Sequence, residues 1–389
     1  MDFFYLNKDF TKKQDFIEHK RGIDMKDMTF GFIGLGLIGG SIAKGLKRAN
    51  PNHYIMAYAR HRETLDAALA DGAINEALDG IGERLSACDY IFLCTPVSFN
   101  EEYLTAIRPY LRKDAILTDV GSVKTNIHEA VERLGMEANF IGGHPMAGSE
   151  KSGYQYSTDH LVENAYYVIT PTKASPARKV DELREIALSL SALPLILDYH
   201  QHDYIVAGIS HLPHLIASSL VNLVRDKDTP EQTMRLVAAG GFKDITRIAS
   251  SSPVMWQQIC LTNKENIASI LGDYIDLLRQ VKTDVETSDG AAIYNLFDTS
   301  REYRNSLPSR SSGPIKKEYA FYCDIVDESG AIATIATILA AHQISIKNIG
   351  IIHNREFEEG VLKIEFYDEA AVNAAVELLT QCRYTIYRK

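Results

Sequence analysis

At 389 residues the chain is too long for one ordinary domain, and with 46% hydrophobic and 24% charged residues it can fill several cores against the entropy of ordering them. A formal net charge of -10 leaves no basic field for a phosphate backbone or an anionic bilayer, which excludes nucleic acid and membrane as expected partners. The five cysteines, Cys88, Cys94, Cys260, Cys323 and Cys382, are odd in number and include no C-x-x-C pair, so they read as reduced thiols of a cytoplasmic protein without a metal site.

Residues 1–28 mix both charge signs and lack an apolar h-region, which makes them an arm, or an over-extended start, rather than a secretory signal. From Thr29 the short β-rich runs "TFGFIG", "YIMAY", "DYIFLCTP", "AILTDVG", "NFIGGHP" and "AYYVIT" alternate with helical segments. That alternation predicts an α/β Rossmann-type dinucleotide-binding domain with a parallel sheet, assigned to 29–199. From 200 to 304 the pattern changes to long helical periodicity, as in "VAGISHLPHLIASSLVNLV", and predicts an all-α domain. Its apolar helices need partners on more than one face, which suggests a homodimer. The segment 305–317, "NSLPSRSSGPIKK", reads as a linker. Beyond it, 318–389 follow the order β-α-β-β-α-β of an α+β ferredoxin-like domain. The longest apolar run, "AIATIATILAA" from Ala331, is far short of the roughly 20 residues that span a bilayer, so no membrane-crossing helix is expected.

In "FGFIGLGLIGGSIAKGL" the glycines Gly34, Gly36 and Gly39 form G-x-G-x-x-G, with Leu35, Leu37 and Ile38 between them, after a strand and at the start of a helix. The first glycine permits the tight turn, the second lets the backbone reach a pyrophosphate, and the third allows close helix packing. The acid that would bind the adenosine ribose should end the second strand, where Ala59 stands. Arg60 and Arg62 follow; they either hold the extra phosphate of NADP or are surface arginines, with Arg60 stacked on adenine. NAD is the expected cofactor, with NADP left open.

Four later segments carry a more specific signal: "DVGSVK" at 119–124, "GGHPMAGSEKSG" at 142–153, "ISHLPHLIA" at 209–217 and "AAGGFKDITRIASSSPVMW" at 238–256. Over 29–304 the chain resembles the prephenate dehydrogenase family. The resemblance implies NAD-dependent oxidative decarboxylation of prephenate to 4-hydroxyphenylpyruvate, a step towards tyrosine. It makes His144 the catalytic base, a role suited to an imidazole, and Ser122 its hydroxyl partner or alternatively a helix cap. It assigns Arg247 to a substrate carboxylate, the alternative being a salt bridge with Asp244. His214, Ser149, Glu150, Gly240 and Trp256 are expected near substrate, although Trp256 could be core and Glu150 an exposed charge. Thr95, Pro96, Asp119 and Gly121 join the glycine loop at the cofactor. His211 is read as a buried structural histidine, since Pro213 breaks any metal-binding pairing with His214.

The tail from Glu318 resembles an ACT domain, which implies a regulatory ligand near Asp327, Gly330, Ala331 and Asn348, with tyrosine as the feedback inhibitor. Ser329 stands where many such loops carry proline. Arogenate in place of prephenate is the alternative substrate. A non-catalytic nicotinamide-sensing regulator and a 3-hydroxyacid or imine reductase are the competing classes; the former has no need of His144, Ser122 and Arg247 together.

Overall fold

A computed structural model of the chain describes residues 26–149, 151–307, 319–325, 330–352 and 360–387. The expected arm before residue 26, Glu150, Asp327 and the linker residues 308–317 lie outside the described residues. Two compact units divide the chain, the first ending at Ser306 and the second beginning at Leu307. The dinucleotide-binding and helical parts therefore share one unit.

That unit starts with β1 (Thr29–Ile33), α1 (Leu37–Ala49), β2 (Tyr54–Tyr58), α2 (Arg62–Ala70), β3 (Glu76–Ala77), β4 (Tyr90–Leu93), α3 (Asn100–Ile107), β5 (Ile116–Asp119) and α4 (Thr125–Arg133). The five strands form a parallel sheet in the order β3-β2-β1-β4-β5, the Rossmann order. Because helices cover both faces, β1, β2 and β4 are largely apolar, and alternate residues feed two cores. Phe30, Phe32, Tyr90 and Phe92 pack on one side, and Ile33, Ile91 and Leu93 on the other. The strand order reverses beside β1, so the C-terminal ends of β1 and β4 flank the crevice where such sheets bind ligands. The short strand β3 has no apolar run of its own and was not expected.

The next strands correct one expectation. β6 (Ile141–Pro145) and β7 (Tyr166–Pro171) run antiparallel, with Ile141 opposite Pro171, whereas a wholly parallel sheet was expected. Among the described residues between them there is no crossover helix of the kind that usually joins parallel strands, only a short 3-10 turn at Tyr154–Tyr156. After α5 (Ala177–Ser189), β8 (Leu193–Ile196) pairs parallel to β7. A parallel bridge, Leu117 to Phe140, links this sheet to the first.

The rest of the unit is helical: α6 (Tyr199–Val206), a π-turn at Ala207–His211, α7 (Leu212–Lys227), α8 (Thr233–Val237), α9 (Gly240–Thr246), α10 (Pro253–Thr262), α11 (Lys264–Glu286) and α12 (Gly290–Ser306). The continuous helix Tyr199–Lys227 is, by length and composition, apolar enough to cross a membrane, contrary to expectation. A core helix passes the same test. Here the buried His202, Asp203 and His211 in its first half bond to other parts of the protein.

The second unit contains β9 (Ala320–Ile325), α13 (Ala331–Ala341), β10 (Asn348–Ile352), β11 (Gly360–Glu365), α14 (Glu369–Gln381) and β12 (Ile386–Tyr387). Its antiparallel sheet has the order β10-β11-β9-β12. Alternate residues of β9, Phe321, Cys323 and Ile325, are buried with Ile335, Leu339, Ala375 and Leu379 of the two helices, as a sheet with one covered face requires.

Candidate active site

The glycine loop has the geometry that its three positions demand. Gly34 has φ +90, and a Cβ there would lie 2.7 Å from the Cys94 carbonyl oxygen. A Cβ on Gly39 would lie 2.8 Å from the Gly34 oxygen, so both positions exclude side chains. Gly36 differs, because nothing lies within 4 Å of its Cβ position. That opening, at the N-terminus of α1, is where backbone amides and the helix dipole favour a pyrophosphate. Leu35 is buried beneath it. Ala59 follows β2 and packs partly on the core, while the Arg60 guanidinium lies 5.8 Å from the Phe99 ring centre. Arg62 is engaged elsewhere, at 2.9 Å from Asp66 and 3.4 Å from Asp79. Thr95 follows β4 with its hydroxyl oxygen buried and without a hydrogen-bond partner among the described residues, and Pro96 is exposed. These features fit a dinucleotide.

Behind the loop lies a buried polar cluster. Lys124 is wholly buried, with its ammonium on Asp119 Oδ2 and donating to the Gly143 carbonyl at 2.8 Å. Asp119 Oδ2 also accepts from Gly121 N at 2.9 Å, and Oδ1 from Gly143 N at 3.2 Å. Asp119, expected at the cofactor, thus has both oxygens engaged within the protein. His144 follows Gly143 on β6, and its Nδ1 lies 2.8 Å from His202 Nε2. His202 Nδ1 in turn lies 2.8 Å from Asp203 Oδ1. Burial first, then the neighbouring His202 ring and the Lys124 charge, hold the His144 imidazole well below its ordinary pKa, so it is neutral near pH 7.

Asp203 also accepts from the amides of Lys124 at 2.8 Å and Thr125 at 2.7 Å, at the start of α4. Asp203, not Ser122, therefore satisfies these helix-end donors, which corrects the capping alternative for Ser122. Ser122 is half-buried on the loop between Gly121 and Val123, and its hydroxyl forms no hydrogen bond among the described residues.

A second line of contacts leads away from the histidines. The Asp203 carbonyl accepts from Asn263 Nδ2 at 2.8 Å, and that nitrogen lies 3.1 Å from His211 Nδ1. His211 is buried and its pKa is lowered to about 4 by burial. Trp256 stacks on His214 with ring centres 3.7 Å apart and meets His211 edge-on at 5.9 Å. Burial lowers the pKa of His214 against the raising effect of its hydrogen bond to the Ser210 carbonyl, and Arg247, exposed at the end of α9, is near enough for its charge to add to the lowering. Gly240 opens α9 and is exposed, and exposed Ser149 Oγ accepts from Lys151 N at 3.2 Å. One chain of contacts thus runs from His144 through His202, Asp203, Asn263 and His211 to Trp256 and His214, with the exposed Arg247 near enough to His214 to act on its charge. His202, Asp203 and Asn263 were missed because nothing in "LDYHQHDY" distinguishes a buried dyad from a polar helix start.

A Rossmann-order sheet, an open glycine loop and a buried neutral histidine behind it define a nicotinamide-dependent dehydrogenase. Two family models match: "Prephenate dehydrogenase, nucleotide-binding domain" over residues 42–193 and "Prephenate dehydrogenase, dimerization domain" over 198–299. The prephenate dehydrogenase of Bacillus subtilis is 37% identical over 350 residues, covering 89% of this chain and 93% of its own. That of Lactococcus lactis is 35% identical over 351 residues, covering 89% and 96%. Among solved structures, prephenate dehydrogenase from A. aeolicus in complex with hydroxyphenyl propionate and NAD+ is 31% identical, with a TM-score of 0.69, and covers 73% of this chain and 100% of its own. Synechocystis arogenate dehydrogenase is 31% identical, with a TM-score of 0.65, and covers 72% and 99%. The chain belongs to the prephenate dehydrogenase family.

Proposed function

We propose that His144 is the general base in the NAD-dependent oxidative decarboxylation of prephenate to 4-hydroxyphenylpyruvate. The protein is an NAD-dependent prephenate dehydrogenase. NAD supplies the hydride acceptor. The chain's own residues must hold a dicarboxylate, accept the ring hydroxyl proton and exclude water. His144 takes the hydroxyl proton as hydride leaves the carbon that bears it. Ser122 orients the same hydroxyl, and Arg247 binds a carboxylate as a bidentate donor. His214 and Trp256 form the stacked wall that links the two, with Gly240, Ser149 and Glu150 around the substrate. Gly34–Gly39, Ala59, Arg60, Thr95, Pro96 and Gly121 hold the cofactor.

The observation that carries this reading is the burial of a neutral His144 beside the loop of Ser122 and Gly121. Reduced cofactor formed from prephenate or arogenate, with NAD or NADP, is the test. Turnover of prephenate with NAD is expected, and exclusive use of arogenate would overturn the substrate.

The tail is proposed as an ACT domain that binds tyrosine near Gly330, Ala331, Asn348 and Asp327. Its strand order supports this, as does Gly330, whose φ of +95 starts α13. The curated relatives match 350 residues, more than the 306 before the second unit, so the likeness runs into the tail. Truncation near Ser312 should abolish tyrosine inhibition at saturating prephenate while turnover persists. Inhibition that survives and is competed away by prephenate would leave the tail structural. The dimerisation domain exposes Leu236, Val254, Leu261 and Phe297 at 82, 65, 66 and 68%, which supports a homodimer through these helices. The free cysteines support a reducing, cytoplasmic setting.

A further inference from the structure

A good base binds protons with an affinity matched to the working pH. The His144 ring, held well below that range, is a weak acceptor by itself. A proton taken there alone would sit in a buried site near the Lys124 charge. The residues behind His144 supply what the ring lacks. His202 and Asp203 have side chains only 1% and 0% exposed, and they continue the line from His144 Nδ1 in two contacts of 2.8 Å each. Asp203 is fixed at three points, by the amides of Lys124 and Thr125 and through its own carbonyl by Asn263.

We propose that His202 and Asp203 are positioning residues that fix the tautomer of His144 and share the proton charge that it acquires. This rests on the reading of His144 as the base. Hydrogen bonds from His202, Thr125 and Lys124 outweigh burial and keep the Asp203 carboxyl below its usual pKa, so it is ionised and only accepts. His202 Nδ1 is then the donor to Asp203, and its Nε2 accepts. His144 Nδ1 must donate to that Nε2, which leaves the lone pair of His144 on its own Nε2, available to substrate.

The step balances. The substrate O–H bond breaks as an N–H bond forms at His144 Nε2, and the oxygen's electron pair becomes a carbonyl as hydride departs to NAD. The positive charge spreads through the Nδ1–H to His202, and transfer of that proton breaks the His144 Nδ1–H bond and makes an N–H bond at His202 Nε2, leaving an imidazolium whose Nδ1–H faces the Asp203 carboxylate. When carbon dioxide leaves, its bond electrons aromatise the ring and the oxygen recovers its proton. The relay therefore ends as it began, and no net proton is consumed.

The test uses the full chain with His202→Phe, which removes the relay, and His202→Gln, which keeps an acceptor but no basic nitrogen. Turnover should fall about 10- to 100-fold in the Phe variant and less in the Gln variant, with the Michaelis constant for prephenate and NAD binding unchanged. Nitrogen-15 NMR of labelled histidines, with the His144 signal identified by its loss in His144→Asn, should show Nδ1 protonation in the native protein and in His202→Gln. The Phe variant should lose that tautomer. Because His202 acts through His144, the double variant His144→Asn/His202→Phe should be no slower than His144→Asn. Turnover within twofold of native in His202→Phe, or independent losses in the double variant, would overturn the relay; so would loss of NAD binding in both His202 variants. Near-native turnover in His144→Asn would instead sink the base assignment itself.

Discussion

Lys124 is buried against Asp119, and the same ammonium donates to the carbonyl of Gly143, the residue before His144. One ion pair thereby ties the loop that carries Ser122 to the strand that carries the base. Breaking a buried pair by removing one partner leaves a stranded charge, worth about 3–5 kcal/mol. Lys124→Met should lower stability by that amount in urea unfolding, and Asp119→Asn/Lys124→Met should recover part of it. No change in the single variant would show that the pair carries no net stability.

Substitution of the base has a different signature. His144→Asn should retain NAD binding, measured by titration, and lose about 100-fold or more in turnover. A parallel loss of NAD binding would make His144 a structural residue.

Arg247 is exposed, and its charge reaches His214, which stacks on Trp256. Arg247→Ala should raise the Michaelis constant for prephenate with a smaller effect on turnover, as expected when substrate binding is lost. A change in stability alone would favour a salt-bridge role.

Cofactor choice turns on the end of β2. Ala59 places no carboxylate there, Arg62 is occupied by Asp66 and Asp79, and Arg60 faces the Phe99 ring. Ala59→Asp should sharpen the preference for NAD by repelling a 2'-phosphate. Equal discrimination in native and variant, compared as kcat/KM for the two cofactors, would place the NADP phosphate elsewhere.

Acid should destabilise the protein through its buried histidines. Burial lowers His128 to about 3 and His211 to about 4, against 6.5 when unfolded. Between pH 6.5 and those values the unfolded chain binds more protons than the native one, so stability falls as pH falls through that window. The urea midpoint should be lower at pH 5 than at pH 7, and His128→Gln should reduce the difference. A midpoint independent of pH across this range would contradict the buried neutral state.

What could be read in the amino-acid order follows from how local each requirement is. Gly34 and Gly39 are needed because backbone and neighbouring atoms leave no room, a constraint that shows as glycine at fixed spacing. The β-α-β-β-α-β tail was legible for the same reason, since each element carries its own periodicity. The antiparallel turn of β7 was not, because strand direction depends on the connection rather than on the residues within the strand. Nor was the relay behind His144. His202 lies 58 residues from His144, and Asp203 lies 79 from the Lys124 amide. Such pairings leave no mark in local pattern.

The π-turn at Ala207–His211 adds one residue to a helix that otherwise runs from Tyr199 to Lys227. An α-helix turns about 100° per residue, so the insertion phases everything after it relative to everything before it. His202 and Asp203 lie upstream of that offset, and His214 lies downstream. A deletion of one residue in the turn would shorten the 29-residue helix by a single residue and leave its overall apolar character. It would nonetheless rotate the stacked His214 away from Trp256 while the dyad stayed fixed, uncoupling the proton-handling end of the helix from its substrate-facing end. The angular register between the two functions is thus set by chain length, independently of which side chains occupy the turn.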